Sequence, residues 1–214
     1  MSNQAISPTN VESGSEYPKR VSAEEYLEKY AHDFYEWDDG ELVKMSPVTA
    51  FHANLSGYLY ILFKSYFRFQ PIGVVMQAPF LMRVDEFDLK REPDLQVILN
   101  DNPGQLTETA MLGPTDICIE IVSPESAERD YGKKLTLYEK AGVKEYWLFD
   151  YLRKGTHFYR LNDQGFYELN TPDANGNYET PLLPCLKIHV PTLWTDPLPD
   201  VETTLETVRS MLRK

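Results

Sequence analysis

Cysteine is nearly absent from this sequence, with only Cys118 and Cys185 in 214 residues. Two cysteines are too few for a disulfide framework or a cluster of zinc-binding thiolates. Cys118 also lies within the apolar segment ICIEIV, where a free thiol behaves as a small hydrophobic side chain. We therefore expect neither cysteine to carry chemistry.

Long hydrophobic runs are missing as well. No segment approaches the roughly 18 consecutive apolar residues that a membrane-spanning helix needs. The first twenty residues, MSNQAISPTNVESGSEYPKR, lack the charged and then apolar layout of a secretory signal. With 42% hydrophobic and 13% aromatic residues, the composition is that of a globular protein. We expect a cytoplasmic protein without a membrane partner.

Clustered positive charge is the third missing feature. The net charge of −12 argues at first against a nucleic-acid partner, because phosphate binding depends on clustered lysine and arginine. The excess acid lies mostly outside the middle of the chain, since residues 46–160 carry 13 basic and 15 acidic side chains. The middle is therefore nearly neutral, although no cluster of basic residues there indicates a DNA-binding surface.

The order of apolar patterns and turn residues predicts a mixed α/β protein. We expect a disordered tail over residues 1–18, which are rich in Ser, Asn, Pro, Glu and Gly, and a single domain over residues 19–214. The predicted helices cover residues 22–30, 49–69, 126–142 and 200–212, and the predicted strands 73–76, 80–84, 93–99, 116–122 and 144–151. Hairpins are predicted around Asp38-Asp39-Gly40 and in the C-terminal segments HFYRL, FYEL and LKIHV.

An acidic residue within an apolar strand is the first candidate for chemistry. Strand side chains alternate between faces, so Glu120 lies on a face that should be largely covered. A buried carboxylate costs several kcal/mol to desolvate unless it is paired or bound to a cation. Asp94, at the start of the segment EPDLQVIL, is a candidate neighbour. If the two strands are adjacent, Asp94 and Glu120 can reach the same ion.

Two adjacent lysines on the following helix are not equivalent. At about 100° per residue, one arc of about 120° contains Ala127, Tyr131, Lys134, Leu135, Tyr138 and Ala141. Lys133 lies about 80° outside this arc. We therefore expect Lys134 to face the sheet and Lys133 to face water. An inward lysine needs an anion, and either Asp130 or Glu120 would serve.

Two carboxylates on adjacent strands with one lysine suit phosphodiester hydrolysis. The carboxylates would hold Mg²⁺ or Mn²⁺, the metal would activate a water molecule, and the lysine would orient it. The alternative is a structural ion-paired cluster, in which Asp130 pairs with Lys134 and Glu120 bonds to an unrelated group. Spacing alone favours the structural cluster, because a carboxylate pair without a fixed local motif is a weak signal.

Several segments together resemble a known family. DGELVKMSPVTAFH, EPDLQVIL, CIEIVSP and RDYGKKLTLYEKAGVKEYWLFD resemble the Uma-two family of restriction-endonuclease-like proteins, within the PD-(D/E)XK nuclease superfamily. The resemblance covers about Tyr35 to Leu161, and the run from Glu120 through Asp150 is its specific part. It implies a restriction-endonuclease-like fold, a mixed β-sheet flanked by helices, with extra hairpins and helices at both termini.

The resemblance also implies a set of metal ligands. Asp94 and Glu120 match the two catalytic acids, and the backbone carbonyl of Ile121 is a further candidate ligand. Glu41 resembles an early acid that members of the superfamily often add to the metal site. An ordinary exposed strand glutamate is an equally good interpretation of Glu41.

The usual lysine of the superfamily is displaced in this sequence. Val122 stands two residues after Glu120, where the lysine normally lies. The resemblance assigns the role to Lys134 on the following helix, with Lys133 as the fallback. Residues expected to surround the site and orient its groups are His52, Gln96, Arg129 and Asp130. For His52 the commoner explanation is a structural histidine that is hydrogen-bonded within the core or caps the helix.

The activity implied by the resemblance is metal-dependent endonucleolytic cleavage of nucleic acid, DNA rather than RNA. Exposed aromatics in the C-terminal hairpins would permit a homodimer, but no feature requires one. A catalytically silent module that keeps the nuclease fold for binding protein or nucleic acid is the main alternative. A protein with a purely structural metal is the third.

Overall fold

The computed structural model describes residues 20–30, 33, 35–38, 40–44 and 47–213. The chain divides into two compact units, Met1–Met45 and Ser46–Lys214. The predicted tail over residues 1–18 lies outside the described residues, and the single domain over 19–214 stays a prediction. None of the described helices is long and apolar enough to cross a lipid bilayer.

The N-terminal unit consists of one helix and one hairpin. Its elements are α1 (Ala23–Lys29), β1 (Tyr35–Asp38) and β2 (Glu41–Lys44). The helix begins as predicted, because the Ser22 hydroxyl accepts a hydrogen bond from the Glu25 backbone N–H at 3.1 Å. The strands pair antiparallel as predicted. A small buried core of Val21, Tyr26 and Trp37 holds the unit together.

The larger unit carries most of the secondary structure. Its helices are α2 (Ala50–Phe69), α3 (Ala127–Arg129), α4 (Leu135–Ala141) and α5 (Val201–Leu212), and a π-helical turn (Asp130–Lys134) joins α3 to α4. Its strands are β3 (Gly73–Gln77), β4 (Leu81–Val84), β5 (Leu89–Arg91), β6 (Leu95–Leu99), β7 (Gln105–Leu106), β8 (Ala110–Leu112), β9 (Ile117–Val122), β10 (Glu145–Asp150), β11 (Gly155–Leu161), β12 (Tyr167–Asn170), β13 (Asn177–Glu179) and β14 (Lys187–His189). We call α3, the π-helical turn and α4 together the crossover helix.

A six-stranded mixed sheet forms the centre of this unit. Its strand order is β12-β11-β10-β9-β6-β3, with β9 and β10 parallel and the other pairs antiparallel. The crossover helix connects the parallel pair, as such a connection requires. Strands β4, β5, β7 and β8 form a separate four-stranded sheet, and β13 pairs with β14. The predicted fold class, a mixed β-sheet flanked by helices, is confirmed.

The two faces of the central sheet bury different side chains. Ile117, Ile119 and Ile121 of β9 pack into the core that contains the apolar residues of α2. Cys118 and Val122, from the alternate positions, pack into the core beneath the crossover helix. The alternation predicted for this strand is thus confirmed, and Glu120 lies on the crossover-helix face.

The regular helix predicted over residues 126–142 is wrong in its middle. The π-helical turn interrupts it at Asp130–Lys134. Gly132 within this turn has little helical preference, and the Tyr146 hydroxyl donates to the Asp130 backbone carbonyl at 3.1 Å. A carbonyl that accepts a hydrogen bond from outside the helix weakens the regular backbone hydrogen bonding around it. The predicted end is confirmed, because Gly142 forms a left-handed cap at φ +82°.

Candidate active site

Strand pairing brings the two predicted acids to neighbouring positions. Strands β6 and β9 are antiparallel with Leu95 opposite Ile119, so Asp94, just before β6, lies across from Glu120. The Ile121 backbone N–H donates to Asp94 Oδ2 at 2.7 Å. This bond ties the start of one strand to the end of the other, beside Glu120.

The other oxygen of Asp94 is held by a histidine. His52 Nε2 lies 2.9 Å from Asp94 Oδ1, and the two side chains are 10% and 20% exposed. His52 lies in the first turn of α2, whose N-cap Thr49 accepts a hydrogen bond from the His52 backbone N–H at 3.1 Å. The start of α2 therefore fixes the histidine, and the histidine fixes the carboxylate.

Lys134 reaches inward from the crossover helix to two carboxylates. Its Nζ lies 3.0 Å from Glu120 Oε1 and 3.1 Å from Asp130 Oδ1, and all three side chains are buried. Lys133 is exposed, as the helical geometry predicted. The two anions that the sequence offered as alternatives for Lys134 are thus both its partners.

Two buried tyrosines complete the hydrogen bonding around the lysine. The Tyr138 hydroxyl donates to Glu120 Oε1 at 3.0 Å. Burial raises the pKa of Tyr138 well above its usual range, and the charge of Glu120 raises it further. Burial, followed by the charges of Glu120 and Asp130, has the same effect on the pKa of Tyr146. Both hydroxyls therefore remain donors at any physiological pH.

The tyrosines were not identified from the sequence. Tyr138 falls within the inward arc of the helix, four residues after Lys134, and this spacing places the two side chains next to each other. Tyr146 lies on β10, and its contact with Asp130 depends on how the crossover helix packs on the sheet. No local pattern predicts that contact.

Gln96, Glu41 and Cys118 were also weighed in the sequence. Gln96 is opposite Cys118, and its amide donates to the Phe80 backbone carbonyl. Glu41 is an exposed residue of β2 in the N-terminal unit, so its part in a metal site stays a prediction. Cys118 is buried, and this burial raises the pKa of its thiol far above the usual range. It is an inert core residue.

The donor set favours a hard divalent cation. Among residues 20–30, 33, 35–38, 40–44 and 47–213, no cluster of three or more His, Cys, Asp or Glu side chains could enclose a metal. Mg²⁺ does not need such a cage, because it usually binds one or two carboxylates and keeps water or phosphate oxygens as its other ligands. The carboxylates of Asp94 and Glu120 fit that requirement.

Comparison with known proteins places the chain in a family. No curated protein matches its sequence. A solved structure from Anabaena variabilis ATCC 29413, described as a putative nuclease belonging to DUF820, is similar with a TM-score of 0.62 and 19% identity, over 75% of this chain and 89% of that one. This likeness shows that the two share a fold. The family model Uma2, described as "Putative restriction endonuclease", matches residues 23–190. The chain therefore belongs to the Uma2 family.

Proposed function

We propose that this protein is a metal-dependent endonuclease that hydrolyses phosphodiester bonds of nucleic acid, DNA in preference to RNA. The observation that carries the proposal is the position of Lys134 Nζ, buried between Glu120 and Asp130 beside the strand end that bears Asp94. The family description and the description of the similar solved structure support a nuclease.

The residues that would hold Mg²⁺ or Mn²⁺ are Asp94, Glu120 and the backbone carbonyl of Ile121. When bound, such an ion lowers the pKa of a coordinated water and offsets the charge that develops on the phosphate. Asp94 is already oriented by His52 and by the Ile121 N–H. A carboxylate fixed in this way loses little freedom when it binds a cation, so less binding free energy is spent on ordering it.

Lys134 would act on the reacting groups. Its ammonium group is held by Glu120 and Asp130, so it stays in place without a substrate. From there it can donate a hydrogen bond to the attacking water or to the phosphate. Because the site is largely shielded from solvent, a fixed positive charge stabilises developing negative charge more strongly than it would in water.

The proposal is tested by cleavage assays on supercoiled DNA, single-stranded DNA and RNA with Mg²⁺ or Mn²⁺. We expect Asp94→Ala and Lys134→Ala each to lower the cleavage rate by about 100-fold or more, as loss of a preorganised charge or donor does. Lys133→Ala is the matched control, since it removes the adjacent exposed lysine and should leave the rate within about twofold. Cleavage indifferent to Asp94→Ala and Lys134→Ala would overturn the mechanism.

A second candidate is a catalytically silent module that uses the nuclease fold for binding. The net charge of −12 favours it, because phosphate binding depends on clustered lysine and arginine. Titration calorimetry with Mn²⁺ separates the two. Binding that is lost in Asp94→Ala supports the enzyme, whereas no binding by the folded wild type supports the silent module.

A further inference from the structure

The end of β10 lies at the same edge of the sheet as the two acids. Strands β9 and β10 are parallel, with Leu148 beside Glu120 and Asp150 beside Val122. Strands lie about 4.8 Å apart and rise about 3.3 Å per residue, so the Cα atoms of Asp150 and Glu120 are about 8 Å apart. Whatever follows Asp150 is therefore next to the candidate active site.

A tight turn follows, over residues 151–154, and it presents two cations to solvent. Asp150 pairs with Gly155 at the start of β11, so the turn projects from the edge of the sheet. The side chain of Arg153 is 69% exposed. Lys154 is also exposed and has a left-handed backbone at φ +49°. We call these four residues the β10–β11 turn.

The arginine of this turn is oriented by a buried carboxylate. Asp150 is 1% exposed and accepts hydrogen bonds from the Arg153 backbone N–H at 3.0 Å and from Arg153 Nη1 at 2.6 Å. Burial alone would raise the pKa of Asp150, but the hydrogen bonds from Arg153 and Tyr131 outweigh it and lower the pKa. Asp150 stays charged and holds the guanidinium in a defined direction.

The same anchor connects the turn to the catalytic lysine. The Tyr131 hydroxyl donates to Asp150 Oδ2 at 3.0 Å, and Tyr131 belongs to the π-helical turn that carries Lys134. On its other side, the ring of Tyr151 packs against Phe51, the neighbour of His52 on α2, at a centroid distance of 5.3 Å. The β10–β11 turn is thus fixed to both elements that position the candidate catalytic groups.

We propose that the β10–β11 turn binds phosphate groups of the nucleic-acid substrate next to the phosphate that is cleaved, through Arg153 and Lys154. The inference rests on the proposed nuclease function. It adds a positively charged contact for phosphate, which the sequence did not indicate because its basic residues are not clustered. A guanidinium matches a phosphate in shape and charge, and one held by Asp150 loses less freedom on binding. Two such contacts place the strand in register with Glu120 and Lys134.

Salt dependence of binding tests this contact. Fluorescence anisotropy of a labelled DNA duplex, measured over a range of salt concentrations with Mg²⁺, is carried out in the Asp94→Asn background so that cleavage does not consume the probe. Each phosphate contact contributes about 0.9 to the slope of log Kobs against log salt. We expect Arg153→Ala and Lys154→Asn each to reduce the slope by about 0.9, and the double variant by about 1.8.

Arg68→Ala is the matched control. Arg68 is exposed in the last turn of α2, about 24 Å along the helix from His52, so its loss should leave the slope unchanged. Arg153→Lys should retain most of the slope, because the charge remains. Lys154→Asn gives an independent result if Arg153→Ala unfolds, since asparagine tolerates a left-handed backbone.

The outcomes separate the two proposals. If the wild type cleaves DNA and the slope is the same in both turn variants, the β10–β11 turn is not a phosphate contact and the nuclease function stands. If the wild type cleaves nothing and the Asp94→Asn protein binds no DNA, both proposals fail. A slope reduced equally by Arg68→Ala would show diffuse electrostatic binding and would also overturn the inference.

Discussion

Two buried glutamates of the central sheet have opposite surroundings. Glu120 is 5% exposed in the strand ICIEIV, and Glu145 is fully buried in the strand EYWLFD. The two lie at opposite ends of the parallel pair, because Glu145 is beside Ile117 while Glu120 is beside Leu148. By sequence alone each is a glutamate in a largely apolar strand.

Glu145 is saturated by fixed donors. Its Oε1 accepts from Arg160 Nε at 2.8 Å and from the Thr180 hydroxyl, and its Oε2 accepts from Trp147 Nε1 at 2.8 Å and from the Tyr178 hydroxyl at 2.8 Å. Each oxygen thus has two partners, and Arg160 is the only charged group among the four. A cation could bind there only by displacing these bonds, so Glu145 is structural.

Glu120 shares its cation instead. Lys134 bridges it to Asp130, and Asp94 lies across from it on the next strand. Two carboxylates therefore contact one ammonium group, and a third carboxylate lies across from Glu120 on the neighbouring strand. Burial of an acid therefore does not by itself make it a candidate for chemistry. Glu120 differs from Glu145 in having a second acid, Asp94, across from it on the neighbouring strand.

The largest effect on stability is expected at Glu145. Glu145→Ala leaves Arg160 without its carboxylate and leaves buried hydroxyl and indole donors unpaired, so the free energy of unfolding should fall by about 4 kcal/mol. Urea unfolding measures the change. Glu179→Ala, which breaks the exposed pair with Lys187, should cost less than about 0.5 kcal/mol.

The same experiment tests the structural assignment of Glu145. The cleavage rate per folded molecule should be unchanged in Glu145→Ala, because this residue lies at the far end of β10 from Glu120. A loss of activity in the fully folded Glu145→Ala variant would contradict the assignment of Glu145 to structure alone.

A smaller effect is expected at Lys134. Lys134→Met leaves Glu120 and Asp130 without their shared cation, although Tyr138 still donates to Glu120, and the free energy of unfolding should fall by about 3 kcal/mol. Adding Glu120→Gln should recover about 1 kcal/mol, because it removes one of the two buried negative charges that contact Lys134. Urea unfolding of the single and double variants gives the coupling.

Activity should not follow that recovery. The double variant should remain inactive in the cleavage assay although it regains stability, because in the proposed mechanism Glu120 holds the metal and Lys134 contacts the reacting groups. Lys140→Met, at an exposed lysine in the last turn of α4, serves as the control and should change neither quantity. If the double variant is no more stable than Lys134→Met, the ion pair with Glu120 does not contribute to folding.

The smallest effect concerns pH and His157, which lies in the same row of the sheet as Glu120 and Leu148. Burial lowers the pKa of His157 from its ordinary value of 6.5, and the nearby charge of Asp150 only partly opposes this. Below pH 6.5 the unfolded chain binds a proton at this histidine more readily than the folded one does. Lowering the pH from 6.5 to the folded pKa therefore lowers the free energy of unfolding. His157→Gln should flatten this part of the profile, whereas His189→Gln, at an exposed histidine, should not.

Much of the site was predictable from local patterns. Alternation along β9 places Glu120 on the covered face, and helical spacing turns Lys134 inward and Lys133 outward. The strand prediction depends only on side-chain direction within one element, which the backbone geometry fixes. Lys134 keeps its predicted direction although the π-helical turn departs from a regular helix at this point. The helix boundaries also followed from local sequence, since Ser22, Thr49 and Asp200 cap their own helices.

Contacts between distant segments were not predictable. The sequence alone determined the α/β class, the faces of the strands and the inward direction of Lys134. These follow from the periods at which side chains repeat, two residues in a strand and 3.6 in a helix. Only the tertiary structure decided the π-helical turn, the register that sets Asp94 across from Glu120, and the partners of Glu145, two of which lie more than thirty residues away. Register and packing depend on many simultaneous contacts across the sheet, and no local stretch of sequence contains them.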